Sequence, residues 1–117
     1  MTMEQFVADL TREVRRRRYF IRLEILEQTA SQVKARLFIS QNLFVQVYRN
    51  ARFQTTNFAL IHNEQRIFAR DQLAGTWHRH LHTHPDEHDS GEAGSTPITL
   101  GEFLDEVETV LSELDLP

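Results

Sequence analysis

The stretch Trp77-His78-Arg79-His80-Leu81-His82-Thr83-His84-Pro85 holds four of the chain's six histidines, one at every second position. Successive side chains of an extended backbone point to opposite faces. His78, His80, His82 and His84 would then share one face, with Trp77, Arg79, Leu81 and Thr83 on the other. Imidazole serves three chemistries: metal ligation, proton transfer near neutral pH, and anion binding when protonated. The block is internal, alternating and flanked by patterned sequence, which is unlike a purification tag.

Each chemistry makes its own demand on the neighbours. Attack by a ribose 2′-hydroxyl on its adjacent phosphate needs a base, an acid and a cation for the developing charge. Two imidazoles can share the acid and base roles without a metal. His78 and His80 fit those roles, with Arg79, Arg70 or Arg66 on the phosphate. Asp71 could orient an imidazole through its second ring nitrogen; its plain alternative is an Asx turn after a strand. The second chemistry is Zn2+ binding. An H-x-H pair on a strand can offer two ligands to one ion. His82, His84, His88, Asp86 or Glu87 could complete an all-nitrogen-and-oxygen site. The third reading is a solvated polar edge whose histidines oppose aggregation. Trp77 could stack on a base, but reads better as a core or partner-anchoring aromatic. His62 precedes Asn63-Glu64 and reads as a turn residue.

A second basic feature is the run Arg15 to Arg18. Arg15 and Arg16, with Arg36, could track phosphates and bind RNA in a salt-sensitive way. Lys34, Arg49 and Arg52 add to that potential. The alternative is charge complementation at a helix C-terminus.

At 117 residues the chain is sized for one domain with a modest core. Apolar content of 40% and charged content of 26% are ordinary for a globular protein. Cysteine is absent, which excludes disulfides and thiolate metal sites and fits a reducing cytoplasm. No apolar run approaches the roughly 20 residues needed to cross a bilayer, and the polar, amphipathic start is not expected to be a signal peptide. A net charge of −4 excludes a generic nucleic-acid binder. The charge is uneven, however, because from Asp86 onward there is no Lys or Arg.

The elements that must position these groups follow from periodicity. Met3, Phe6, Val7, Leu10 and Val14 mark one face of a helix over about 3–17, started by a Thr2/Gln5 capping box. Period-two patterns then predict strands. Tyr19, Ile21, Leu23 and Ile25 share a face of the first, and Val33, Ala35, Leu37 and Ile39 a face of the second. Leu43, Val45 and Val47 mark the third. The fourth runs over 53–61, a tight turn covers 62–65, and the fifth covers 66–70. The short connections make neighbours antiparallel. The histidine block is a last edge strand or an extended loop. The stretch 85–98 reads as a flexible loop. Thr99 and Glu102 form a second capping box, before a helical stripe from Leu100 to Leu114. Asp105, Glu106, Glu108, Glu113 and Asp115 read as its solvated outer face. The fold expected is a single α+β domain over 1–117. An antiparallel sheet of about five strands is flanked on one face by an N-terminal and a C-terminal helix.

With these elements placed, the chain resembles the TumE-type family of small bacterial and archaeal toxins, encoded in two-gene toxin–antitoxin operons. The likeness spans about 33–112. Ala35 to Val45 is similar to the family's strand-turn-strand. Ile67-Phe68-Ala69-Arg70-Asp71-Gln72 resembles a segment that usually carries an aromatic where Arg70 stands and Asn where Gln72 stands. Trp77-His78-Arg79-His80 with His88 is similar to its histidine-rich segment, and Thr99 to Val107 to its closing helix. The resemblance implies a toxin neutralised by a cognate antitoxin protein. Joined to the histidines, it leads to the expectation of a cytoplasmic, metal-independent ribonuclease with no cofactor. The alternatives are a non-catalytic histidine-rich module for a metal or ligand, or a plain protein-interaction domain. The last would be a homodimer through an exposed edge strand.

Overall fold

The computed structural model describes residues 1–81, 84–89 and 91–117, and for 84–89, 92 and 93 the backbone alone. Helix α1, Met3–Arg16, starts at the expected capping box: Gln5 N–H donates to Thr2 Oγ1 at 3.0 Å, and Thr2 N–H to Gln5 Oε1 at 2.8 Å. Seven strands follow in a simple meander, each antiparallel to the next. They are β1 (Arg22–Gln28), β2 (Gln32–Ser40), β3 (Leu43–Asn50), β4 (Thr55–His62), β5 (Gln65–Leu73), β6 (Thr76–Leu81) and β7 (His84–Asp89). A short helix α2, Glu92–Ser95, precedes α3, Leu100–Glu113. The second capping box holds as well, with Thr99 N–H donating to Glu102 Oε1 at 2.9 Å.

The α+β architecture with helices at both ends is thus as expected, and the sheet is wider than expected. The first half of the histidine block is not an edge, whereas His84 and Pro85 open the edge strand β7. That first half is β6, paired on one side with β5 and on the other with β7. The loop expected over 85–98 contains β7 and α2 in its described part. His84-Pro85-Asp86-Glu87-His88-Asp89 has no apolar alternation to announce a strand. Its pairing is supplied by the neighbour rather than by an apolar face of its own.

Two hairpins depend on left-handed backbone. Asn63 and Glu64, at φ 51° and 67°, join β4 to β5; Ala74 and Gly75, at φ 49° and 86°, join β5 to β6. Two positive-φ residues in a two-residue loop match the twist of the flanking strands. These turns set the β4–β5–β6 register and so decide which side chains become neighbours. A Cβ at Gly75 would be strained at that φ and would lie 3.2 Å from Gln54 Oε1.

The core lies between one sheet face and the two long helices. From the sheet come Val33, Ala35, Leu37, Leu43, Val45, Val47, Phe58, Leu60, Phe68 and Trp77. From the helices come Met3, Phe6 and Leu10, and the stripe Leu100, Phe103, Leu104, Val107, Val110, Leu111. Phe103 stacks on Phe68 with ring centroids 5.5 Å apart and tilts against Phe58 at 5.3 Å. Trp77 is a core residue here, 6.4 Å from the Phe58 ring. The first strand departs from expectation. It starts at Arg22, bulges between Ile25 and Glu27, and leaves Ile21 63% and Leu26 46% exposed. An edge strand has one neighbour only, so its apolar alternation need not all be covered. Phe53, expected in β4, lies before it in the turn and is 64% exposed.

The arginine run resolves into one buried member and exposed neighbours. Arg17, 6% exposed, closes α1 onto α3. Its Nε donates to Glu13 Oε2 at 2.8 Å, Nη2 to the Gly101 carbonyl at 3.1 Å, and Nη1 reaches Asp105 at 3.0 Å and Glu108. The Tyr19 hydroxyl donates to the same Glu108 oxygen at 2.7 Å. Burial, then the bond to Glu108, pushes the Tyr19 phenol above its ordinary range. A raised folded value means the neutral phenol contributes stability at lower pH. That contribution fades as pH climbs past about 10, the ordinary tyrosine value. Urea midpoints measured from pH 9 upward should therefore fall more steeply for the wild type than for Tyr19→Phe. Parallel curves would remove Tyr19 from the alkaline response.

Candidate functional site

The register places a set of side chains in rows across the sheet face opposite the helices. One row is Lys34, Tyr48, Asn57, Asp71 and His78, each paired with the next across adjacent strands. The second is Arg36, Gln46, Ala59, Ala69 and His80. The third is Phe38, Phe44, Ile61 and Arg66. Directly opposed residues of antiparallel strands share a face, so these rows form one surface running from β2 to β6.

Asp71 and His80 lie toward its β6 end. Asp71 accepts a short hydrogen bond from Asn57 Nδ2, and its Oδ2 lies 3.2 Å from His80 Nε2. On the other side of the ring, Arg66 Nη2 is 3.3 Å from His80 Nδ1. A guanidinium only donates, so a bond there makes Nδ1 the acceptor and leaves the ring proton on Nε2, which lies near the carboxylate but outside hydrogen-bond geometry. His80 is 2% exposed and Asp71 7%, whereas Arg66 is exposed and His78 half-buried. His80 therefore sits between an acid and a base, and the arrangement fixes the direction of Arg66. His78 is directly opposite Asp71 and more accessible than His80.

The expected residues divide accordingly. His78, His80, Asp71, Arg66 and Arg36 come together on this outer face. Arg79 and Arg70 are opposed to each other on the helix-facing side, because alternate residues of β5 and β6 point away from the histidines. Arg70 is not offered to solvent. It is 5% exposed and binds Glu106 of α3 through two parallel bonds, Nε to Oε1 at 2.9 Å and Nη2 to Oε2 at 2.6 Å. This gives a physical reason for a cation at a core-facing position. It also corrects the reading of Glu106 as a solvated residue; Asp105 and Glu108 are likewise engaged, with Arg17. Arg15 and Arg16 lie in the last turn of α1, on the helix layer and away from the histidine face. Asp71 lies within β5 rather than in an Asx turn after it. His62 ends β4 at the hairpin, as expected.

Of the two His80 ring nitrogens, Nδ1 faces Arg66 and Nε2 lies 3.2 Å from Asp71 Oδ2. Among the described residues no group of three His, Cys, Asp or Glu side chains could hold a metal ion. The other expected ligands cannot be placed: His82 lies outside the described residues, as do the side chains of His84 and His88.

Sequence reasoning missed Asn57, which holds Asp71 from the next strand, and the polar pair Gln46 and Tyr48. Their only signal is a polar residue at alternate positions of an apolar strand; their place in a row needs the register. Comparison with family models, with curated proteins and with solved structures found no significant match.

Proposed function

We propose that the chain is a toxin of the TumE-type class, acting in the cytoplasm on RNA as a metal-independent ribonuclease and held in check by a partner protein. The observation that supports this reading is the assembly of His78, Asp71, His80 and Arg66 on one sheet face. In the proposed reaction the 2′-oxygen bonds to phosphorus while its proton passes to His78. Arg66, aimed by His80, binds the phosphate in substrate and transition state alike. The phosphorus–O5′ bond breaks, and the leaving oxygen takes a proton from water. His80 is a positioning residue in this scheme, because its ring is buried between Arg66 and Asp71. The edge strand β1, with exposed Leu26 and with Ile21 exposed just before it, offers a partner both backbone groups and apolar contact.

Induced expression in a bacterial host should arrest growth with the wild type and spare it with His78→Ala at matched soluble level. Purified wild type should cleave RNA in the presence of EDTA. Growth unaffected by the wild type, together with no cleavage, would leave a non-catalytic binding module. The burial of His80 supports that second reading, since one of the two expected catalytic imidazoles is enclosed.

A further inference from the structure

The outer face carries more charge chemistry than the histidine centre uses. Beyond Asn57, Leu26 of β1 and Lys34, Arg36, Gln46 and Tyr48 of β2 and β3 line a groove of about 210 Å³. Its cations are held over aromatic rings. The Arg36 guanidinium lies 5.1 Å from the Phe44 ring centre and the Lys34 ammonium 5.7 Å from that of Tyr48. Next to them Arg22 lies 3.8 Å from the Phe38 ring. Ring contact fixes a long cationic side chain without neutralising it.

Among the described residues neither Lys34 nor Arg36 forms a direct ion pair, although a glutamate stands opposite each. Their cross-strand neighbours on β1 are Glu24 and Glu27. Glu27 instead accepts from Gln32 Nε2 at 2.7 Å, and Glu24 lies near Arg22 at 3.9 Å. Among the described residues no ion pair joins Lys34 or Arg36 to a carboxylate, and the Arg36 Nε is buried with no hydrogen-bond partner. The two cations lie along the groove with no carboxylate bound to them among the described residues, which leaves them open to an anion from outside.

We propose that this groove binds the phosphates of unpaired RNA and leads the strand along the transverse rows to His78. The proposal rests on the ribonuclease reading and names its substrate class: a single strand rather than a duplex. Strands lie about 4.8 Å apart, so β2 to β6 spans about 19 Å, enough for a few nucleotides in extended form. The guanidinium planes of Arg22 and Arg36, each held over a ring, suit stacking by splayed bases. An A-form duplex keeps its bases paired inside and would meet the face through its backbone alone.

The test uses the full chain carrying His78→Ala, so that the probe survives, and a labelled 12-nucleotide single-stranded RNA. Adding Lys34→Gln or Arg36→Gln should weaken binding about 5- to 10-fold at low salt. Each should also make the slope of log K against log salt shallower by about 0.7. Lys34 is exposed, so its variant stays informative even if Arg36→Gln lowers stability. RNA binding that both substitutions leave unchanged in affinity and salt slope overturns the groove assignment while leaving the ribonuclease reading in place. Binding of a 12-base-pair duplex as tightly as the single strand overturns it too. No RNA binding by the unsubstituted chain, with no cleavage, removes the ribonuclease reading and the groove assignment with it.

Discussion

Arg17→Met should lower the thermal midpoint by roughly 12 °C. The expectation starts from Glu13, which is 6% exposed on the core side of α1. With Arg17 gone, its nearest cation is Arg16, whose Nε stands 3.7 Å away on a side chain that is 62% exposed. Removing one member of a buried ion pair leaves the other charge desolvated, at a typical cost of about 3–5 kcal/mol. The lower end applies here. The Asp105 and Glu108 side chains are 69% and 46% exposed and can return to water when the guanidinium leaves. For a chain of this size, about 3 kcal/mol corresponds to roughly 4 °C per kcal/mol, hence the figure. The double variant Glu13→Gln, Arg17→Met should regain part of the loss, because the stranded charge is gone and mainly the packing and Gly101 bond are missing. A drop of only a degree or two in the single variant would show that water reaches Glu13 and that the tie between α1 and α3 contributes little.

Arg17 also marks where sequence reasoning stops. Both long helices were legible, since capping boxes and the 3.6-residue apolar stripe act within one turn of the chain. β2 and β3 were legible for the same reason, their alternation being local. Arg17 and Glu108 are 91 residues apart, and Arg70 and Glu106 are 36 apart. Read locally, both arginines are surface cations and both glutamates a solvated stripe. Only their tertiary placement makes them internal ties. Ile21 shows the opposite error, an apolar residue in a period-two pattern that an edge strand leaves uncovered. The site divides in the same way. Alternation alone placed His78 and His80 on one face and apart from Arg79. It could not show that Asp71 would face the histidines and Arg70 the helices. That depends on a hairpin register set by Ala74 and Gly75. Asn57 entered the site only through the β4–β5 pairing.

The sharpest functional expectation follows from the unequal burial of the two histidines. On the ribonuclease reading, His78→Ala should reduce kcat by about 10²- to 10⁴-fold, the usual contribution of a positioned base. It should leave KM and the thermal midpoint nearly unchanged, because the side chain is half-buried and its loss opens no core cavity. His80→Ala should behave differently. It removes a ring that is 2% exposed and releases both Arg66 and Asp71, so stability falls. Its kinetic effect should show largely in KM, since the guanidinium that meets the phosphate loses its direction. Asp71→Asn keeps the shape of the carboxylate but removes its charge. It should weaken the hold on His80 and follow His80→Ala, more mildly, in both stability and KM. Single-turnover rates, KM values and melting curves of the three variants separate these roles. A His78→Ala protein that melts normally and keeps its full single-turnover rate would remove His78 from the chemistry. A His80→Ala protein that loses kcat alone, with KM and melting preserved, would instead make the buried ring the proton-transfer group and Arg66 a bystander.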